Sequence, residues 1–321
     1  MQRNALSLVL SALCLFLAGC GGARRAVPES RPVVKRPLAL LVSQEISGRI
    51  LQQRLSEPFG LAVDNSGTLY VADAGNNRIV HFNSDLDPDR DFGGYGSRPG
   101  LFDGPGFMVV DNSLNLLVSD GGNRRVARCD GKLNYVNEIQ LVDDEDPLKF
   151  GLISGVAVTD YGEVWVADRE NNRVAVFDNL GRFDRFIGEF GYAGGELSSP
   201  EKIYHDAGGP FVVCDAGNGR LVFYDDYGNY SHQLAADAFD YPIALAADRQ
   251  RHYWVLDGRS GVLFCFSLSG EPLFRAGPLL PGTSLSLRKP SDVAVLRDGR
   301  LVIADTGNHR LLVCTVVYEE P

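Results

Sequence analysis

One short motif recurs six times along this chain at a nearly constant interval, and this recurrence restricts the fold more than any other feature. The motif is Asp-x-x-Asn-x-Arg, and its copies lie at 73–78, 120–125, 168–173, 215–220, 257–262 and 305–310. The steps between successive Asp residues are 47, 48, 47, 42 and 48. Self-similarity at this period indicates an architecture in which each repeat is one supersecondary unit.

Each repeat contains four short runs that are typical of β-strands. In the third repeat, the run Val164–Ala167 ends at the motif Asp, Gly155–Val158 precedes it, Arg173–Phe177 begins at the motif Arg, and Gly181–Ile187 follows a turn. Such runs are rich in β-branched and aromatic residues and bounded by Gly, Asn and Asp, which favours strands over helices. Four antiparallel strands in each 42–48 residues form one propeller blade. The sequence therefore predicts an all-β, six-bladed β-propeller of four-stranded antiparallel blades.

The residue fifteen positions before each motif Asp marks the expected start of each blade. These residues are Pro58, Pro105, Ile153, Pro200, Pro242 and Pro290. Proline cannot donate a hydrogen bond to a sheet and is common at the first residue of a strand. We therefore expect the first strand of each blade to begin here.

The chain resembles the NHL-repeat proteins, a family of six-bladed β-propellers. The resemblance rests on the motif copies and on two glycine-rich connectors, Phe92–Pro105 and Phe190–Gly195, and it covers about residues 58–317. The fifth repeat departs from the pattern, because Ser260 and Val262 replace its Asn and Arg.

The last repeat is too short to supply all four strands of its blade. Its third strand, Arg310–Cys314, is followed by only a few residues. We expect the fourth strand to come from the N-terminal side of the propeller region, 38–321. The candidate is Gly48–Leu55, which resembles Gly181–Ile187. Its pairing with the sixth blade would close the ring and remove an exposed sheet edge.

The N-terminus resembles a bacterial lipoprotein signal. Ala5–Ala18 is an apolar run of 14 residues, too short for a typical membrane span, and it is followed by Gly19 and Cys20. The resemblance implies a signal peptide at 1–19, a lipid on the Cys20 thiol and a Pro/Arg-rich disordered tether at 20–37. It predicts a location in the bacterial cell envelope, outside the cytoplasm and anchored to a membrane. The alternative is an ordinary signal peptide that contains a cysteine.

The charge of the chain argues against nucleic acid as a partner. Residues 1–37 hold six Lys/Arg and one Glu, so residues 38–321 hold 25 basic and 40 acidic residues, a formal charge of −15. Nucleic-acid phosphates require a basic face. Some NHL propellers bind RNA through such a face, but the charge and the export signal here favour other partners.

Four cysteines remain after the signal region, and we expect them to be buried free thiols. Cys129 and Cys314 occupy equivalent positions on blades that are not adjacent. Cys214 lies on another strand, and Cys265 and Cys314 lie on adjacent blades. Packed sheets are about 10 Å apart, whereas a disulfide needs Cα atoms within about 7 Å.

The repeated Asp and Arg residues are predicted to be structural. An Asp at a strand end and an Arg at the start of the next strand can close the intervening turn. A catalytic group is needed once, whereas this pair recurs in most blades. The set comprises Asp73, Arg78, Asp120, Arg125, Asp168, Arg173, Asp215, Arg220, Asp257, Asp305 and Arg310.

No catalytic, cofactor or metal site is predicted. The five histidines fall at different repeat positions and form no ring around the axis. Related propeller enzymes, the peptidyl-amidating lyases and the gluconolactonase-like hydrolases, hold a metal in the central channel, but their ligand pattern cannot be matched here. The acidic segment Asp85–Asp91 fails the EF-hand pattern, because Arg90 stands where Gly is needed.

The candidate ligand site is a departure from the repeat near the axis. The two positions after the strand-start residue are small or apolar in most blades, but blade 4 has Glu201 and Lys202 there, and blade 6 has Asp292. The full candidate set is Phe59, Phe107, Glu201, Lys202, Tyr204, His205 and Asp292. The topology predicts these residues on the ring face that carries the strand starts and the Asp/Arg turns, with connectors 92–104, 142–152 and 272–289 as a rim. The alternative is that the charged residues only solvate the channel mouth.

The predicted function is a non-catalytic scaffold that binds a protein, peptide or small polar ligand in the cell envelope. The alternative is a metal-dependent lyase or hydrolase with its site in the central channel. A fold alone does not define which of these applies.

Overall fold

The protein is a six-bladed β-propeller, as the repeat predicted. The computed structural model describes residues 35–141, 149–205, 208–235, 239–280 and 285–319. Within these ranges the chain forms 26 β-strands and three short 3₁₀ turns, at Ala74–Asn76, Ala216–Asn218 and Thr306–Asn308. Six antiparallel four-stranded sheets are the blades.

Five blades consist of four consecutive strands each. Blade 1 contains β4 (Pro58–Val63), β5 (Leu69–Asp73), β6 (Arg78–Phe82) and β7 (Pro88–Gly93). Blade 2 contains β8 (Pro105–Val110), β9 (Leu116–Asp120), β10 (Arg125–Cys129) and β11 (Tyr135–Gln140). Blade 3 contains β12 (Ile153–Val158), β13 (Val164–Asp168), β14 (Arg173–Phe177) and β15 (Phe183–Ile187). Blade 4 contains β16 (Pro200–His205), β17 (Phe211–Asp215), β18 (Arg220–Tyr224) and β19 (Tyr230–Ala235). Blade 5 contains β20 (Pro242–Ala247), β21 (His252–Asp257), β22 (Leu263–Ser267) and β23 (Pro272–Ala276).

Blade 6 joins the two ends of the propeller. It contains β24 (Asp292–Val295), β25 (Leu301–Asp305) and β26 (Arg310–Tyr318), and its outer strand is β1 (Pro37–Ser47). A separate small hairpin consists of β2 (Arg49–Ile50) and β3 (Gln53–Arg54).

The first strand of each blade lines the axis, and the hydrophobic core lies between neighbouring blades. Each inner strand contacts the inner strand of the next blade, and β24 contacts β4, which closes the ring. Between blades 3 and 4, the rings of Trp165 and Phe211 stack with their centroids 3.7 Å apart. Every residue of β13 and β17 is buried, as expected for strands covered by a neighbouring sheet on each side.

The ring closes through an N-terminal strand, but the predicted position of that strand was wrong. The strand that pairs with β26 is Pro37–Ser47, which runs from Pro37 opposite Tyr318 to Ser47 opposite Arg310 with two register shifts between them. The segment 48–55 instead turns back on itself as the β2–β3 hairpin and joins blade 6 to blade 1. The turn begins at Gly48, whose φ of 76° lies in the left-handed region, and the Leu55 amide donates to the Gly48 carbonyl at 2.8 Å.

The repeated Asp ties three parts of each blade together. In all six blades its carboxylate accepts a hydrogen bond, at 2.6–3.0 Å, from a backbone amide seventeen residues earlier, at Ser56, Asp103, Gly151, Ser198, Asp240 and Arg288. In blades 1–4 and 6 it also accepts from the motif Arg Nε at 2.7–2.9 Å and from the motif Asn Nδ2 at 2.8–2.9 Å. Blade 5 retains its turn because the Ser260 amide donates to Asp257 at 2.8 Å. The motif therefore attaches each blade to the segment that precedes it.

The four cysteines Cys129, Cys214, Cys265 and Cys314 are free and buried, as predicted. In the described part of the chain, no helix is long and apolar enough to cross a membrane. The signal and tether predictions fall on 1–37, of which 1–34 lie outside the described residues.

Candidate functional site

The two faces of the ring differ in the loops that they carry. Since the strands of a blade are antiparallel, the start of the inner strand and the loop between the second and third strands lie at one edge of the sheet. We call this surface the Asp/Arg face, because the motif turns lie there. The opposite face carries the loops that join the first strand to the second and the third to the fourth.

The axial channel is divided into two cavities. One, of about 420 Å³, opens on the Asp/Arg face, and the other, of about 410 Å³, opens on the opposite face. The two cavities share no lining residue. The lining of one cavity ends where that of the other begins, between Phe107 and Met108 and between Glu201 and Lys202.

Three side chains separate the cavities, and we call them the channel plug: Phe107, Lys202 and Asp292. The Lys202 ammonium donates to the Asp292 carboxylate at 2.5 Å and lies 5.9 Å from the centre of the Phe107 ring. Asp292 is fully buried and also accepts from the backbone amides of Leu61 and Val293, both at 2.8 Å. The pair links blade 4 to blade 6, and the Leu61 amide adds blade 1.

Close contact between inner strands leaves little room near the plug. A Cβ atom on Gly60 would lie 2.1 Å from the Gly106 carbonyl oxygen, and one on Gly155 would lie 2.3 Å from the Glu201 carbonyl oxygen. Glycine is therefore required at both positions by the approach of the neighbouring backbone. Larger side chains such as Phe107 and Lys202 fill the space that remains at the axis.

The cavity on the Asp/Arg face has an apolar wall. Phe59, Phe107 and Ile243 line it, and the two phenyl rings meet edge to face with their centroids 5.1 Å apart. Leu152 and Ile153 extend the wall on the side of blade 3.

A connected polar cluster lies against this wall. The Glu201 carboxylate, which is 3% exposed, accepts a hydrogen bond from the Tyr241 hydroxyl at 2.7 Å and another from the Ser154 hydroxyl. Arg169 pairs with Glu201 at 3.1 Å and donates to the Tyr241 hydroxyl at 3.0 Å. Burial raises the pKa of Glu201 above its ordinary value, although Arg169, Ser154 and Tyr241 act in the opposite direction. Burial and the neighbouring Glu201 carboxylate raise the pKa of Tyr241 to about 12.

This cluster presents a fixed pattern of polar groups to the cavity. Arg169 has a side chain that is 40% exposed, so its guanidinium can reach both Glu201 and a bound molecule. The arrangement suits a ligand with an apolar part and a carbonyl or carboxylate, which an arginine can bind with paired hydrogen bonds.

The structure does not gather the seven predicted ligand residues at one mouth. Phe59, Phe107 and Glu201 line the cavity on the Asp/Arg face. Lys202, Tyr204 and His205 line the cavity on the opposite face, and Asp292 is buried at the plug. The reason is the length of the inner strand, because a strand rises about 3.3 Å per residue and β16 therefore crosses the channel. The His205 ring also stacks on Phe211, with centroids 4.2 Å apart, within the sheet.

Sequence reasoning missed Arg169 and Tyr241. Arg169 follows the motif Asp directly, where the other blades carry Ala74, Gly121, Ala216, Gly258 and Thr306. This departure from small residues could have identified it. Tyr241 precedes the blade 5 proline at a position where residue type varies from blade to blade, so the sequence alone gave no signal.

Exposed apolar side chains also lie on the Asp/Arg face, outside the lining of the cavity. Tyr95, Phe190, Tyr192 and Leu279 are 59–75% exposed, and all lie in connectors between blades. The predicted rim segment 142–152 falls largely outside the described residues, since 142–148 are not among them. In the described part of the chain, no three His, Cys, Asp or Glu side chains come together in a way that could hold a metal ion.

The fold and this geometry define the chain as a six-bladed β-propeller with a divided axial channel. A family model described as the NHL repeat matches three segments, residues 55–82, 150–177 and 287–314, which fall mainly on the first three strands of blades 1, 3 and 6. The chain therefore contains NHL repeats within a six-bladed β-propeller.

Two curated proteins are similar to part of the chain. Protein brain tumor from Drosophila melanogaster is 26% identical over 126 residues, which is 39% of this chain and 12% of that protein. The B-box type zinc finger protein ncl-1 from Caenorhabditis elegans is 28% identical over 122 residues, which is 37% of this chain and 14% of that protein. The matched region therefore corresponds to a small part of each relative.

Solved structures share the fold at low sequence identity. A streptogramin B lyase has a TM-score of 0.62 at 11% identity, over 90% of this chain and 100% of that one. A catalytically inactive virginiamycin B lyase from Staphylococcus aureus, solved with quinupristin, has a TM-score of 0.62 at 16% identity, over 88% of this chain and 87% of that one.

Proposed function

We propose that this protein is a lipid-anchored component of a bacterial cell envelope whose Asp/Arg face binds a protein partner without catalysis. The observation that carries the proposal is the group of exposed apolar side chains on the face that also carries a preformed cavity. Exposed apolar residues clustered around a groove mark interaction surfaces, and aromatic residues are enriched at protein interfaces.

The exposed side chains are held in position by the connector backbone. Tyr95 forms an isolated β-bridge with Phe102 in the connector between blades 1 and 2. Phe190 forms the equivalent β-bridge with Leu197 in the connector between blades 3 and 4. Leu279 forms a third bridge, with Ser286, in the connector between blades 5 and 6. The Arg220 guanidinium lies over the Tyr192 ring, 4.6 Å from its centre, and packs against it. Such preorganisation lowers the entropic cost of binding.

The cavity on the same face can receive a group from the partner. Its volume of about 420 Å³ lies within the range of small-ligand pockets. A peptide segment that lies across the rim can place one apolar side chain against Phe59 and a backbone carbonyl near Arg169.

The position at which the chain enters the propeller supports the Asp/Arg face as the partner site. Arg36 forms an ion pair with Glu271, which lies in the loop between β22 and β23 on the opposite face. The chain therefore enters β1 at the face away from the rim. A tether that begins at Cys20 and ends there leaves the Asp/Arg face open to a partner.

The partner site is tested by cross-linking the full-length protein in its own cell envelope. We expect the double variant Tyr95→Ser/Phe190→Ser to lose the specific cross-linked protein. The matched control is Tyr161→Ser/Tyr227→Ser, because these tyrosines are 84% and 80% exposed on the opposite face. Capture that survives the first change and is lost with the second would overturn the assignment of the face.

The anchor is tested separately with Cys20→Ser. We expect the wild-type protein to fractionate with membranes and to incorporate labelled fatty acid. The variant should incorporate none and should lose its stable membrane association. A Cys20→Ser variant that keeps the label would refute lipidation at this residue.

The alternative is a metal-dependent lyase or hydrolase, and the two solved lyases have the same fold as this chain. Their identities of 11% and 16% show likeness of fold alone. Metal analysis of the purified protein separates the two functions. Stoichiometric zinc or calcium would favour the enzyme, and partner capture by metal-free protein would favour the scaffold.

A further inference from the structure

We propose that the cavity on the opposite face is a second binding site, for a small ligand with a carboxylate or phosphate head and a short apolar body. The cavity has a volume of about 410 Å³ and lies beyond the channel plug. The proposal does not depend on the protein partner or on the lipid anchor.

The walls of this cavity are aliphatic. They are formed by the last residues of the inner strands, among them Val63, Val110, Ala157, Ala247 and Val295. These small side chains leave the cavity open at the axis and give an apolar body a surface to contact. An apolar wall with a few placed polar groups is the usual composition of a small-ligand site.

The polar groups of the cavity are mainly cationic. Lys202 lies at its floor, and Arg249 and Arg297 lie at its mouth, on the first loops of blades 5 and 6. Both arginines are exposed, and neither forms an ion pair with any residue that the structure describes. Two guanidinium groups without an ion-pair partner attract an anion, and guanidinium groups bind carboxylate and phosphate oxygens in pairs.

The acidic groups near the cavity have partners of their own, and these groups include Asp248, which contacts His252, and Asp298, which pairs with Arg300, in the neighbouring groove. Asp292 lies behind Lys202, is fully buried, and is absent from the lining. Asp64 is the one acid among the described lining residues, and it accepts hydrogen bonds within its own turn from the amides of Ser66 at 2.8 Å and Thr68 at 2.9 Å. Among the described residues that line this cavity, Arg249 and Arg297 therefore outnumber Asp64, although residues 38–321 carry a formal charge of −15. A cationic cavity on an acidic protein is selective for anions by its local field.

A neighbouring groove gives the ligand body a place to lie. A second cavity of about 290 Å³ runs between blades 5 and 6 towards Tyr318. It shares Arg249, Arg297, Val295 and Leu296 with the axial cavity. An anionic head bound between the two arginines can therefore extend its apolar part along either cavity.

The site is tested by calorimetric titration of the full-length protein at constant ionic strength. Butyl phosphate and hexanoate are the probes, and their comparison distinguishes a phosphate head from a carboxylate head. Hexanol and sodium chloride are the controls for the apolar body and for charge alone. We expect saturable binding of one or both anionic probes, and weaker or no binding of hexanol.

The arginines are tested by a matched pair of double variants. Arg249→Gln/Arg297→Gln should weaken binding at least tenfold, and Arg249→Lys/Arg297→Lys should retain part of it. Arg90→Gln/Arg182→Gln removes the same charge from exposed sites outside both cavities and should leave affinity unchanged. The proposal is overturned if neither anion binds saturably, if chloride reproduces the effect, or if the two Gln double variants behave alike.

Discussion

Glu45 accepts a hydrogen bond from Arg310 at 3.2 Å, and this contact joins the first strand of the propeller to its last. The same relation occurs inside other blades, where the motif Arg on the third strand contacts an acid or amide on the fourth. The pairs are Arg78 with Asp91, Arg125 with Glu138 and Arg220 with Gln233. The N-terminal strand therefore reproduces both the backbone position and the side-chain contact of an ordinary fourth strand.

Removal of the closing strand should destabilise the whole ring. A chain that begins at Gly48 lacks β1, loses the buried Leu40 and Ile46, and exposes the edge of β26. Loss of large buried side chains costs about 2–5 kcal/mol each, and an exposed edge promotes association. We expect a much lower melting temperature and oligomers in gel filtration, whereas a chain that begins at Lys35 should melt like the full-length protein. Equal melting of the two truncated chains would show that β1 does not close the ring.

The cost of breaking a motif ion pair should follow its burial. Arg220 is 1% exposed and pairs with the fully buried Asp215 at 2.7 Å, so Arg220→Met leaves a buried carboxylate without its cation. We expect a loss of about 3–5 kcal/mol in the free energy of unfolding. The control Arg182→Met breaks a pair of similar length whose arginine is 73% exposed, and it should cost at most about 1 kcal/mol. Denaturant titration compares the two, and equal losses would contradict a structural role for the motif.

The sequence predicted the number and composition of the blades because a repeat presents the same pattern six times. It did not predict the closing strand correctly, because β1 belongs to no complete repeat. Fourth strands are half exposed and weakly patterned, and the hairpin at 48–55 has a similar mixture of Arg and apolar residues. The predicted closing strand, Gly48–Leu55, was chosen because it directly precedes blade 1 in the sequence, and this choice was wrong. The strand that pairs with β26 is Pro37–Ser47.

The sequence predicted only part of the candidate site, because residues that are close in sequence were expected to share one cavity. Glu201 and His205 are close in sequence and were expected at one mouth. Four residues of extended strand span about 13 Å, so these side chains reach opposite cavities. The contact between Lys202 and Asp292 depends on how blades 4 and 6 meet across the axis, which no local pattern records.

The buried Glu201 should make stability depend on pH. Its folded pKa is raised above that of an unfolded glutamate, so the folded state binds more protons between the two values. The free energy of unfolding contributed by this group therefore falls as pH rises through that interval. Glu201→Gln does not titrate, so its melting temperature relative to wild type should increase as the pH rises above the ordinary glutamate pKa of about 4.3. A difference that stays constant with pH would contradict the raised pKa.

The buried thiols should be unreactive in the native protein. Cys129, Cys214, Cys265 and Cys314 are fully buried, and burial raises the pKa of Cys129 and of Cys314 to about 12. The thiolate is the reactive species, so a thiol reagent should label none of the four at neutral pH until the protein is unfolded. Peptide mapping by mass spectrometry identifies the labelled sites. Fast labelling of any of them without unfolding would show that its strand opens locally.

The channel plug should act as one energetic unit. Lys202→Met leaves the Asp292 carboxylate buried without its ammonium partner, and we expect a loss of about 3–5 kcal/mol in the free energy of unfolding. Asp292→Asn keeps an acceptor for the Leu61 amide but leaves the ammonium without its anion. The double variant Lys202→Met/Asp292→Asn removes both charges. Its loss in the free energy of unfolding should therefore be smaller than the sum of the two single losses by at least about 1 kcal/mol. Denaturant unfolding of the four proteins completes the cycle. Strictly additive losses would show that the two residues contribute independently and that their contact does not hold the inner strands together.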